Sequence, residues 1–200
     1  MDTDEQQTRQ RQPHGIGDLL DIAAERALPV VAGIPDTALT APTPCADYDV
    51  KALVNHVFQV VVEFRKLAAK QDSDFAVTRD RVGEGDDWRA RFASAAQELV
   101  AAWSAPGAED GTSGAMNMPA RLVGAMALLD LTVHAWDLAR ATGQPYEAPP
   151  QVVGALAEAV AELAPTARAM GVFGEPVPAG ADASPFDRLL AATGRHPQQR

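Results

Sequence analysis

Apolar residues recur at intervals of three and four along most of the chain, which is the spacing of one buried face of an α-helix. The first such stretch begins at Ile16, runs to about Ala32 and is followed by Gly33 and Pro35, residues that end helices. Asp49 precedes the second stretch, where its side chain can cap the first turn. The pattern predicts helices over about 16–32, 49–70, 86–103, 119–141, 150–169 and 185–193.

Prolines and glycines concentrate between these stretches and predict loops there. Pro119 is expected in the first turn of the fourth helix, and Pro165 is expected to kink or shorten the fifth. We find no strand-like alternation and no internal repeat, so the predicted class is all-α, an antiparallel helical bundle. Residues 1–13 are polar and are interpreted as a disordered tail, and residues 14–200 as one helical domain.

The balance of charged residues disfavours one class of function. The 200-residue chain carries 27 acidic and 17 basic side chains, a formal net charge of −10, which disfavours binding to the negative backbone of nucleic acids. Its one cysteine excludes an internal disulfide. The polar start lacks an apolar stretch and so predicts no signal peptide, and no apolar run approaches the length of a membrane span. We therefore expect a cytoplasmic protein that binds no membrane.

The four histidines fall into two classes. His14 and His196 lie in polar terminal segments and are expected to be exposed, whereas His56 and His134 interrupt apolar helices. Asp130 precedes His134 by four residues, so both project from one helix face, and the surrounding leucines predict that Asp130 is buried. A buried carboxylate is unfavourable unless it is paired or bound to a metal. Two histidines and one aspartate predict a three-ligand metal site with an open position, as in catalytic sites.

The same residues have interpretations that need no metal. His56 can be a neutral core histidine, and Asp130 and His134 can form a local hydrogen bond. We interpret Asp137 as a structural residue that caps a loop or pairs with Arg140, with orientation of the His134 ring as the alternative. The residues alone leave the metal site and the core-histidine interpretation both open.

Cys45 is the only thiol and lies just before the second helix. We interpret it as a small residue that packs the loop. The alternative is a reactive thiol whose pKa is lowered by the nearby helix N-terminus.

Two segments carry a family resemblance. The stretch TPCADYDVKALVNH, from Thr43 to His56, resembles the start of the second helix in the mycothiol-dependent maleylpyruvate isomerase N-terminal family, which belongs to the DinB-like metal-binding helical bundles. The stretch HAWDLARATG, from His134 to Gly143, resembles that family's second metal motif. The ending, which contains TGRHP at 193–197, is similar to that of a short actinobacterial subgroup.

The resemblance implies a DinB-like four-helix bundle, here with an extra C-terminal helix, and a divalent metal held by His56, Asp130 and His134. Asp130 stands where the isomerase has a glutamate, which is one methylene longer. The isomerase also has a separate C-terminal domain that contributes to catalysis. Only a short segment follows Gly143 in this sequence, so we do not expect maleylpyruvate isomerisation itself.

Our first hypothesis for the function is a metal-dependent enzyme of the thiol S-transferase type. Zinc suits two imidazoles and a carboxylate, and nickel or ferrous iron can use the same ligands. The expected partners are a small-molecule thiol such as mycothiol, acting as cosubstrate, and an electrophile. Two other functions stay open: a metal-binding or sensing module without turnover, and a structural helical homodimer whose histidines belong to the core.

Overall fold

The computed structural model describes residues 14–197, and within them the chain forms six α-helices. Their bounds are α1 Ile16–Ala32, α2 Val50–Ala68, α3 Trp88–Trp103, α4 Ala120–Ala141, α5 Pro150–Ala169 and α6 Pro185–Ala192. The predicted all-α class is confirmed, and each helix lies within two residues of its expected bounds. The tail interpretation of residues 1–13 falls outside the described residues.

Side-chain caps account for two of the helix starts. Asp49 accepts a hydrogen bond from the backbone N–H of Ala52 at 2.8 Å, as the sequence predicts for the start of α2. Ser184 and Asp187 form a capping box at the start of α6. At the other end of α5, the helix continues through Pro165 to Ala169, so this proline does not shorten it.

A small antiparallel β-pair precedes α4, although the sequence shows no strand-like alternation. Thr112–Ser113 (β1) pairs with Met118–Pro119 (β2). Pro119 lies in β2 and immediately precedes α4, instead of occupying the first turn of that helix. Two-residue strands are too short to produce a readable alternation of apolar and polar positions, which is why the sequence pattern did not predict them.

The first four helices form the bundle. The contacts between their ends show which neighbouring helices run parallel and which run antiparallel. The start of α1 meets the start of α4, since a Cβ atom on Gly124 would lie 2.7 Å from Ile16, whereas Gly17 faces Ser104 at the end of α3. The start of α2 meets the end of α4 through His56 and His134. The antiparallel neighbours are therefore α1 with α3 and α2 with α4, while α1 with α4 and α2 with α3 run parallel.

One helix in the described part of the chain, α4, is long and apolar enough to cross a membrane by length and composition. Of its most apolar stretch, 83% is buried inside the bundle, and a buried core helix meets the same criterion. The expectation that no segment approaches the length of a membrane span is therefore wrong for this helix. That the protein binds no membrane stays a prediction.

Candidate metal centre

The loop between α1 and α2 places two side chains at the start of α2. The hydroxyl of Thr43 donates to the backbone carbonyl oxygens of Tyr48, at 2.8 Å, and Cys45, at 3.0 Å, which holds the loop in a tight turn. This turn lays the Tyr48 ring on the His56 ring, with centroids 5.2 Å apart and planes 23° from parallel. One face of His56 is therefore covered before any ligand arrives.

His56 is half-buried on the second turn of α2, and its ring meets the ring of His134 edge-to-face with centroids 5.0 Å apart. Burial lowers the pKa of His56, against the opposing effect of Asp130. A lowered pKa keeps the imidazole neutral, and a neutral imidazole has a nitrogen lone pair available to a metal ion.

His134 is buried, and a carboxylate holds one of its ring nitrogens. Nδ1 lies 2.9 Å from Oδ2 of Asp137, whose side chain is fully buried. Because an ionised carboxylate can only accept hydrogen bonds, Nδ1 carries the proton, and in the neutral ring Nε2 keeps its lone pair. Metal-ligating histidines are oriented in this way by carboxylates behind them. The orienting role, the alternative in the sequence analysis, is the one that these contacts favour for Asp137.

Asp130 lies on the opposite edge of the His134 ring. Its Oδ1 is 3.5 Å from Nε2 of His134, beyond the usual 2.7–3.2 Å of an N–H···O hydrogen bond. In a tetrahedral zinc site, two ligand atoms that each lie about 2.1 Å from the ion are about 3.4 Å from each other. The observed distance therefore fits two ligands of one ion.

The three predicted ligand residues come together in the structure. One ligand atom each from His56, Asp130 and His134 lies within 4.8 Å of the other two. The prediction that Asp130 is buried is wrong, because its side chain is 32% exposed. Its side chain is partly open to solvent, and the fully buried aspartate is Asp137.

Arg195 belongs to this cluster and was not singled out from the sequence. Its Nε lies 3.1 Å from each carboxylate oxygen of Asp137, and its Nη2 lies 2.8 Å from Oδ2. The only sequence signal was its place in the TGRHP ending. The partner on α4 is 58 residues away, beyond the reach of any local pattern.

The carboxylates around His134 outnumber the guanidinium groups that face them. Burial opposes a charge on His134, but the carboxylates of Asp130 and Asp137 outweigh this effect and raise the pKa of the ring. Burial likewise opposes ionisation of Asp137, yet His134 and Arg195 hold the pKa of this carboxyl below its usual value. Two carboxylates therefore face one guanidinium, and the cluster favours either a proton on His134 or a cation at Nε2.

Cys45 is half-buried beside the cluster, and one ligand atom each from Cys45, His134 and Asp137 lies within 4.8 Å of the other two. Burial raises the pKa of the thiol, an effect that Arg195 only partly offsets. The alternative of a lowered pKa is therefore wrong, because removal from water outweighs the positive charge of Arg195. A packed loop residue, the preferred interpretation, agrees with this environment.

A cleft of about 610 Å³ opens where Arg195 reaches the surface. It is lined by the loop at Thr43, by Trp136 and Arg140 of α4, and by Arg195 and His196. Basic side chains and no carboxylate occur among its described lining residues, although the whole chain is acidic. His196 is exposed, as predicted, and so is His14 at the start of the described region.

Comparisons with known proteins identify the family of the chain. Two proteins of Mycobacterium tuberculosis, from strains CDC 1551 / Oshkosh and ATCC 25618 / H37Rv and both described as uncharacterized, are each 30% identical to the chain over 173 residues. The match covers 83% of this chain and 90% of each relative. No solved structure matches this chain. The family model for the mycothiol maleylpyruvate isomerase N-terminal domain matches residues 20–139, which include all three predicted metal ligands, and the chain belongs to this family.

Proposed function

We propose that the protein holds one divalent metal ion between His56, Asp130 and His134 and uses it to transfer a low-molecular-weight thiol, such as mycothiol, to an electrophile. The observation that carries the proposal is the arrangement around His134. Its Nδ1 is held at 2.9 Å by a buried carboxylate, while Nε2 faces Asp130 and the ring of His56.

The donor set fits such an ion. Two neutral imidazoles and one carboxylate are ligands that zinc, nickel and ferrous iron all accept, and zinc suits them without redox chemistry. Three protein ligands leave a coordination position for a further molecule. The positive charge of the ion would also balance the two carboxylates that face His134.

When bound, the ion would supply a lowered pKa to a thiol that coordinates it. The chain's own residues would do the rest. Tyr48 covers one face of His56, the half-exposed Asp130 leaves the solvent side accessible, and the basic cleft at Arg140 offers a place for the electrophile. Cys45 is not assigned the reacting thiol, because burial raises its pKa.

Metal content and thiol conjugation test this proposal. The protein, purified without a histidine tag, should carry about one divalent ion per chain. It should conjugate mycothiol to members of a panel of electrophiles, and a chelator should abolish this activity. His56→Ala and His134→Ala should lose both metal and activity, whereas His14→Ala, which removes an exposed imidazole far from the cluster, should keep both.

The possible outcomes separate the functions. Stoichiometric metal without conjugation would support a metal-binding or sensing module in place of a transferase. Absence of metal, together with unchanged stability of both histidine variants, would contradict the metal site and leave the histidines as core residues.

A further inference from the structure

The segment after α6 turns back onto α4 and carries Arg195 into the bundle. Gly194 makes this return with φ +88°, a conformation that side chains disfavour, and a Cβ atom there would lie 2.7 Å from the backbone of Gly174. The backbone N–H of Arg195 donates to the carbonyl of Leu190 at 3.0 Å. The position of the arginine is therefore set by its own backbone as well as by its charge.

Arg195 contacts both carboxylate oxygens of Asp137. Its Nε lies 3.1 Å from both oxygens of Asp137, its Nη2 lies 2.8 Å from Oδ2, and its Nη1 donates to the Thr193 hydroxyl at 3.3 Å. The Arg195 side chain is 12% exposed and that of Asp137 is 0% exposed. A planar guanidinium that contacts both oxygens fixes the plane of a carboxylate, which a single point charge does not do.

Asp137 transmits this constraint to the metal centre, because its Oδ2 is shared between Arg195 and Nδ1 of His134. We propose that Arg195 is a positioning residue, which acts through Asp137 to hold the His134 ring with Nε2 turned toward His56 and Asp130. This inference rests on the proposed function. It assigns to the C-terminal segment a part in the metal centre, although none of the segment's described residues is among the candidate ligands.

A merely structural role for Arg195 would be to anchor α6 to the bundle. A second arginine provides the matched control. Nη2 of Arg168, on α5, donates to the carbonyl of Ala192 at 3.0 Å and so holds the same end of α6 without touching Asp137. Arg168→Gln therefore loosens the segment, whereas Arg195→Gln loosens it and also frees the carboxylate.

The first experiment titrates the metal-free protein with Co²⁺ and follows its visible absorption, which reports coordination geometry. Arg195→Gln should bind Co²⁺ about tenfold to 100-fold more weakly than the wild type, with an altered spectrum, as expected when a residue behind a ligand is lost. Arg195→Lys, which keeps the charge and provides a second variant if the glutamine variant does not fold, should lie between the two. Arg168→Gln should bind like the wild type.

The second experiment needs no metal. In the metal-free protein, at a pH above the pKa of His134, ¹⁵N chemical shifts of the His134 ring should show the proton on Nδ1 in the wild type and in Arg168→Gln. Arg195→Gln should show a mixture of the two tautomers, because a carboxylate released from the guanidinium no longer holds one geometry.

The inference is overturned if both Arg195 variants match Arg168→Gln in Co²⁺ affinity, spectrum and tautomer. If the wild type binds no Co²⁺, the proposed function fails. In that case the tautomer comparison still shows whether Arg195 fixes the ring.

Discussion

The two ends of α4 pack against their neighbours through different kinds of contact. Near its start, Gly124 leaves room for its neighbours, since a Cβ atom there would lie 2.7 Å from Ile16 and 2.9 Å from the Trp103 ring. From its middle to its end, the helix places Asp130, His134 and Asp137 against polar partners. One end is closed by apolar contact at close range and the other by charge and hydrogen bonds. We infer that the first maintains stability and the second maintains chemistry.

Removal of the largest side chain at the apolar end should have the largest effect. Trp103 is 1% exposed, and its ring nitrogen donates to the carbonyl of Phe64 at 3.2 Å. Trp103→Ala should lower the free energy of unfolding by about 3–5 kcal/mol, because it leaves a large cavity. Urea denaturation measures this. Protein that remains folded should bind metal with unchanged affinity, and an equal loss of metal would show that the two ends are not separable.

The matching change at the polar end is His134→Ala. It removes one of three proposed ligands and should weaken metal binding by at least about 100-fold, or about 2.7 kcal/mol, as measured by isothermal titration calorimetry. His14→Ala is the control. Retention of wild-type affinity by His134→Ala would contradict the assignment of chemistry to this end.

A single added methyl group tests how tightly the apolar end is packed. Gly124→Ala should lower the free energy of unfolding by about 1–3 kcal/mol, because the indole of Trp103 and the side chain of Ile16 must move to admit it. Gly154, which has no neighbour within 4 Å of an added Cβ atom, is the matched position on α5. Gly154→Ala should be neutral or stabilising, since it raises helix propensity. A similar loss in both variants would contradict close packing at Gly124.

The smallest expected effect lies at the half-exposed ligand. Asp130→Asn keeps the shape of the side chain but removes its charge, and should weaken metal binding by about tenfold, or 1.4 kcal/mol. Asp130→Glu, which supplies the longer side chain of the related isomerase, should bind more tightly than Asp130→Asn. If both variants bind like the wild type, Asp130 is not a ligand and only the histidines remain in the proposed set.

The helices and two of the site's elements could be predicted from local sequence because their causes are local. Apolar spacing determines each buried face, and the Asp49 cap lies three residues from the N–H group that it satisfies. Asp130 and His134 are one helical turn apart, so their proximity follows from helix geometry. Their pairing with His56 required a bundle in which the start of α2 meets the end of α4, and the family resemblance implied this.

Burial and long-range partners could not be predicted in the same way. The leucines next to Asp130 suggested a buried carboxylate. However, residues that are adjacent in the sequence of a helix point in different directions. Asp137, three residues beyond His134, is the aspartate that faces inward. Its burial depends on a guanidinium from beyond α6. Cys45 shows the same limitation, since its burial depends on how the loop folds over α4.

The distance along the chain between Asp137 and Arg195 has a consequence for the order of folding. All four bundle helices precede Gly143, so a growing chain can bury most of its apolar surface before Arg195 has been synthesised. Until then Asp137 faces the interior without its counter-charge, a state that favours a protonated or water-exposed carboxylate. Because Arg195 is synthesised after all four bundle helices, the bundle should assemble first, and the ring of His134 should become fixed only when the last segment docks. Maturation of the site would then be a separate, final step of folding.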